Sequence, residues 1–267
     1  MNLTFSAKRA SRLAIVAIIG AGLAASANAE TVLVDFGSTN SFRGINVPNP
    51  DPNGHYWNSL TPGPFFPGLV DINNAVTTVA LGFDTPVGTD SFNGPAGVTS
   101  FPNPTPAEVA ATDIDTVALG DLGVKEAAID FAASPGGGAG NLTRFQIQGL
   151  DPSETYTLKL FGSHKFSDND ATTYSIFTDN TYSSLVASTT LNVQSASDPS
   201  LHNRDTIATL SGLAPQTSNI FYVQFVGSQG GMGYLNSFEL VGSPVPEPTS
   251  LMLLASGVAL AFGYRRR

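Results

Sequence analysis

The stretch LTRFQIQGLDPSETYTLKLFGS, residues 142–163, most constrains what this chain can fold into. Phe145 and Ile147 stand two apart, separated and flanked by Arg144, Gln146 and Gln148. After a turn at DPSE, Tyr156, Leu158 and Leu160 repeat the pattern against Thr157 and Lys159. Side chains alternate between faces along a strand, so a period of two describes two half-buried strands joined by a short turn. A helix would need its apolar residues three and four apart.

Runs of the same kind recur at residues 31–37 (TVLVDFG), 76–83 (VTTVALGF), 126–132 (EAAIDFA), 172–178 (TTYSIFT), 205–210 (DTIATL), 219–227 (NIFYVQFVG) and 233–242 (GYLNSFELVG). The chain has 27 Gly and 18 Pro to turn between them, and only residues 106–111 offer a turn or two of helix. The prediction is an all-β fold: a two-sheet β-sandwich of jelly-roll type, one domain over residues 30–243. Residues 43–68 and 93–106, rich in Pro, Gly and Asn, read as surface loops.

The two ends follow other rules. Lys8, Arg9 and Arg12 precede an apolar stretch over residues 13–25, and Ala27 and Ala29 supply small residues in an A-x-A pattern. That order predicts a secretory signal peptide over residues 1–29, a signal helix cut by signal peptidase after Ala29. At the other end, residues 249–263 carry no charge and precede Arg265, Arg266 and Arg267. As a helix this apolar run spans about 22 Å against a hydrocarbon core of about 30 Å, a short transmembrane helix that snorkelling arginines extend. The positive-inside rule holds the three arginines on the cytoplasmic side and everything before Pro246 outside.

Pro246, Glu247 and Pro248, the apolar helix and the terminal arginines together resemble the PEP-CTERM sorting signal of exported bacterial proteins, over residues 244–267. The resemblance implies recognition at Pro246, Glu247 and Pro248 and processing by exosortase, a membrane-embedded transpeptidase-like enzyme. The prolines suit this, since they hold the backbone extended just outside the membrane. The strand-rich body, through VLVDFGS, HYWNSLTPG, IQGLDPSETYTLKLFGS and GYLNSFELVG, is similar in outline to galactose-binding-like jelly-roll modules. That likeness concerns fold-forming residues and implies no activity by itself.

Charge and cysteine content exclude several functions. Residues 30–245 hold twenty acidic against six basic residues, so the body is far more acidic than the whole-chain net charge of −9. Such a body repels nucleic acid and anionic membrane surfaces, favours solubility outside the cell and attracts cations. With no cysteine, thiol catalysis and thiolate-bound zinc are excluded, and an exported domain must hold itself by packing without disulfides.

Two stretches of the body carry candidate chemistry. Tyr56, Trp57 and Asn58 sit in a loop with the only tryptophan of the chain. They form either a platform on which a sugar ring stacks, with Asn58 bonding to it, or an aromatic plug at one end of the sandwich. Asp168 and Asp170 offer closely spaced oxygens for a structural Ca²⁺, or simply a solvated turn. No G-x-S-x-G is present, and His55, His164 and His202 are scattered along the chain. The expectation is therefore a non-catalytic protein with no cofactor, exported to the cell envelope, cell surface or extracellular (biofilm) matrix. It is anchored transiently in the membrane through the C-terminal helix before processing. The alternative is a carbohydrate-binding module for exopolysaccharide; a glycan-active hydrolase or lyase is a more distant one.

Overall fold

The computed structural model describes residues 30–245 except 62, 86, 92–98, 136–141, 166–170, 195–201, 216–217 and 229–230. The strands, in chain order, are β1 (Thr31–Asp35), β2 (Asn58–Ser59), β3 (Phe65–Phe66), β4 (Ala80–Phe83), β5 (Gly88–Ser91), β6 (Asp130–Ala133) and β7 (Thr143–Gln148). Then come β8 (Glu154–Phe161), β9 (Ala171–Phe177), β10 (Leu185–Asn192), β11 (Ala208–Leu213), β12 (Phe221–Gly227), β13 (Tyr234–Leu235) and β14 (Ser237–Pro244). Two five-residue helices, α1 (Pro106–Ala110) and α2 (Lys125–Ile129), lie between β5 and β6 with a 3₁₀ turn at Gly120–Leu122.

The strands form two large sheets, antiparallel but for the β1–β2 pair. The first runs β11-β8-β14-β1-β2 and the second β10-β9-β12-β7-β4-β3; a small third sheet, β13-β6-β5, closes one end. Without the short strands and β4, the eight principal strands in chain order are β1, β7, β8, β9, β10, β11, β12 and β14. Spatially they run first–eighth–third–sixth in one sheet and second–seventh–fourth–fifth in the other, the strand order of a jelly roll. The β-sandwich expected from the alternating runs is the observed architecture.

The alternation also positions the core. Phe145 and Ile147 of β7, and Tyr156, Leu158 and Leu160 of β8, point between the sheets, while Arg144, Gln146, Gln148, Thr157 and Lys159 are only partly covered. Val32, Val34, Phe36, Phe225 and Phe238 complete the layer, with Phe36 edge-on to Phe83 and Phe145.

A second, smaller core lies on the outer face of the first sheet. There Leu33 and Phe161 pack against Trp57, Val47, Leu119, Leu122, Val124, Ala127 and Ala128. The segment 43–68, read as an open loop, is in fact a packed cover: Val47 and Trp57 are buried, and β2 and β3 tie it to both sheets.

Three other readings change. Residues 126–132, expected as one strand, split into α2 and β6: Lys, Glu and Ala are strong helix formers, and Ala127, Ala128 and Ile129 are all buried in the helical form. The strand expected at 76–83 begins only at Ala80, with Val76 limited to an isolated bridge to Val70. The strand β10 had no clear sequence signal, because most of its residues face solvent and Leu191 alone is buried. Among the described residues no helix is long and apolar enough to cross a membrane. The expected signal helix (1–29) and apolar C-terminal helix lie outside the described residues.

The described ends lie together. Thr31 pairs with Val241, and the Gly242 N–H donates to the Glu30 carbonyl at 2.8 Å, whereas Asp35 pairs with Ser237 at the far end of β14. The segment that follows Val245 therefore leaves the sandwich about 26 Å, eight strand residues, from the Asp35 end of β1.

Candidate functional site

Trp57 is 1% exposed, and its ring belongs to the small outer core. Two residues hold it there. Asn49 clamps its backbone: the Trp57 N–H donates to Asn49 Oδ1 at 2.7 Å, and Asn49 Nδ2 donates to the Trp57 carbonyl at 2.9 Å. Asp51 Oδ2 accepts from the indole Nε1 at 3.0 Å, while Asp51 Oδ1 accepts from the Asn53 and His55 N–H groups. Asn58 is spent in the same way: its Nδ2 donates to the carbonyls of Leu33 and Val70, and its Oδ1 accepts from the Val70 N–H.

The structure corrects the platform reading at this point. A stacked sugar needs an open aromatic face, and Trp57 presents none; Trp57 and Asn58 close the cover. Tyr56 is half-buried, and its N–H donates to the Ile72 carbonyl at 3.1 Å. Asp168 and Asp170 lie outside the described residues, as do Ala27, Ala29, Pro246, Glu247, Pro248, Arg265, Arg266 and Arg267.

Beside the cover runs a groove of about 890 Å³. Its walls are Ile45, Pro52, Pro106, Val109, Val117 and Val124. Asn53, Asp121, Lys125 and Glu126 bring polar groups to it. A capping box at Thr105 and Glu108 starts α1 on one side, and His55 Nδ1 lies 3.6 Å from Asp121 on the other. A pocket of this size, mostly apolar with a few convergent polar groups, has the dimensions of a small-ligand site.

Behind the groove lies a pair that the sequence reading missed. Asp35, at the end of β1, and Asp130, at the start of β6, are both fully buried. The Ile45 N–H, at the groove wall, donates to Asp130 Oδ2 at 3.0 Å, the Asp35 and Asp130 carboxyls hydrogen-bond to each other, and the Ser59 hydroxyl bonds to Asp35, while the hydroxyl of Ser237 is buried without a hydrogen-bond partner. Burial, then the neighbouring Asp130 charge, holds the Asp35 carboxyl well above its usual range. Burial pushes Asp130 up to about 7 against the opposing pull of the Ile45 N–H. The chain closes tightly here: a Cβ on Gly37 would lie 1.8 Å from the Asp130 carboxyl carbon, and one on Gly44 2.3 Å from the Ser38 carbonyl oxygen.

A signal for this pair exists in the sequence. Asp35 stands in VLVDF and Asp130 in AAIDFAA, each an acid within an apolar run that alternation alone does not explain. A strand apolar on both sides is covered on both faces, so an acid inside it is buried.

Fold and cover together define a jelly-roll β-sandwich with an accessory helical cap on one sheet. Residues 244–267 match the family model for the PEP-CTERM protein-sorting motif. The chain thus carries the signal of an exported protein that exosortase processes, associated with the cell envelope or surface. No curated protein matches the sequence. Among solved structures, the Arthrobacter globiformis T6 isomalto-dextranase complexed with panose is similar at 14% identity and a TM-score of 0.27, over 66% of this chain and 22% of that one. The chain thus spans about a fifth of the length of that protein.

Proposed function

We propose that the processed protein acts without catalysis, as a β-sandwich component of the cell surface or extracellular matrix. One observation carries this reading: the polar and aromatic side chains that stand out in the covering segment, Asn49, Asp51, Trp57 and Asn58, are bonded to one another and to the backbone. Groups so saturated build a rigid exterior and are not poised to react with a substrate. The membrane-directed segment also departs from the Val245 end, so the Asp35 end and the cover project away from the bilayer while the protein is anchored.

A second reading, binding of exopolysaccharide, draws on the groove. Asn53, Asp121, Lys125 and Glu126 are the kinds of groups that hydrogen-bond sugar hydroxyls above an apolar wall.

Both readings are tested by incubating the exported protein with polysaccharide from its host, then measuring reducing ends and co-sedimentation. The non-catalytic reading expects no new reducing ends; turnover abolished by changing one acidic residue would overturn it. The binding reading expects co-sedimentation that Asp121→Ala with Lys125→Ala abolishes. Co-sedimentation indifferent to those changes, or none at all, removes it.

A further inference from the structure

We propose that Glu154 is the counter-ion of the α-ammonium group that cleavage after Ala29 creates on Glu30, an ion pair open only to the processed chain. The inference rests on the expected removal of residues 1–29. Strand register places the new terminus. The Gly242 N–H donates to the Glu30 carbonyl at 2.8 Å, continuing the ladder in which Thr31 pairs with Val241. Antiparallel residues opposed in this way exchange both bonds, so the Glu30 nitrogen faces the Gly242 carbonyl. Gly242 also pairs with Tyr156 of β8, two residues from Glu154. The Glu154 side chain lies over this row: a Cβ on Gly242 would stand 2.2 Å from Glu154 Oε2.

The surroundings favour a positive charge there. Glu154 is 9% exposed, and its Oε2 is buried without a hydrogen-bond partner. The Tyr156 hydroxyl, which accepts from the Asp151 N–H at 2.7 Å, bonds to the Glu154 carboxyl but brings no charge to it. Asp71 adjoins the same end of β1, since the Ile72 N–H donates to the Thr31 carbonyl at 2.9 Å. Burial raises the Glu30 carboxyl above its ordinary range; a hydrogen bond with Thr77 opposes this, and the charges of Glu154, Asp71 and Asp151 add to it. The ion pairs found among the described residues, Lys159 with Glu239, Arg204 with Asp113 and His55 with Asp121, involve none of these acids. Carboxylates gathered in this way repel one another, and one ammonium among them relieves both the repulsion and the burial of the Glu154 charge. In the precursor the Glu30 nitrogen is an uncharged amide. This end of the sandwich, from which the membrane-directed segment also departs, therefore gains its counter-charge only when the signal peptide is removed.

The test uses the exported protein, first by intact mass and then by NMR titration of its α-amine carrying ¹³C-methyl groups. A chain that begins elsewhere than Glu30 removes the processing reading and the ion pair with it. For a chain that begins at Glu30, the expected midpoint is about pH 9 or higher, against about 8 for an ordinary α-amine. Glu154→Gln should return it towards the ordinary value. A wild-type midpoint at or below that value, or a raised one that Glu154→Gln leaves in place, overturns the pair while the processing reading stands. Should Glu154→Gln not fold, Glu154→Asp takes its place, keeping the charge but withdrawing it by one methylene. A midpoint lower than in the wild type is then expected, and an unchanged one overturns the assignment.

Discussion

The indole N–H of Trp57 donates to Asp51 Oδ2 at 3.0 Å inside the outer core, six residues away along the chain. One carboxylate thereby ties three donors of the covering segment: the Trp57 ring and the Asn53 and His55 N–H groups. Asp51→Ala removes charge-assisted bonds and strands a buried donor, and should destabilise the fold by about 3 kcal/mol in urea unfolding. Asp51→Asn, which keeps an acceptor, should cost less than half of that.

Truncating the anchor itself has the larger effect. Trp57→Ala empties a space lined by Leu33, Phe161 and Leu122 and should cost about 3–5 kcal/mol in the same measurement. A change below about 1 kcal/mol would mean that the cover is not packed as described.

Acid behaviour follows from the buried carboxyl pair. Burial holds a proton on Asp130 up to about pH 7 in the folded state, whereas the unfolded carboxyl releases it near its ordinary value of 3.8. The folded protein thus binds more protons across that window, so stability is greatest at the acid side and falls as pH rises towards 7. The slope is about 1.4 kcal/mol per pH unit for one proton. Melting curves from pH 4 to 8 should show this fall, and Asp130→Asn should flatten it.

Gly37 is fixed by closeness to Asp130, since any Cβ would overlap the carboxyl. Gly37→Ala should destabilise the protein by about 3 kcal/mol. The same change made in an Asp130→Ala background should cost measurably less, because the obstructing group is gone; strictly additive effects would show that the two residues do not meet.

Much of the fold was legible because strand burial has a short period. Phe145, Ile147, Tyr156, Leu158 and Leu160 face the core as their spacing requires. The sequence did not announce β10, whose outward residues vary freely because they meet only water. Nor did it announce α2, where helix propensity and burial outweigh a pattern that also fits a strand. The role of Trp57 could not be read locally: an aromatic loop residue becomes core only because Asn49, Asp51 and the α2 region fold over it. The pairing of Asp35 with Asp130 spans most of a hundred residues of chain and arises from topology, though an acid inside an apolar run marks each partner individually.

Intact mass of the protein recovered from its host tests most directly that this jelly roll is carried out of the cell by removable ends. A chain beginning at Glu30 and ending near Pro246 is the predicted product. Recovery of all 267 residues as one uncut chain would contradict it.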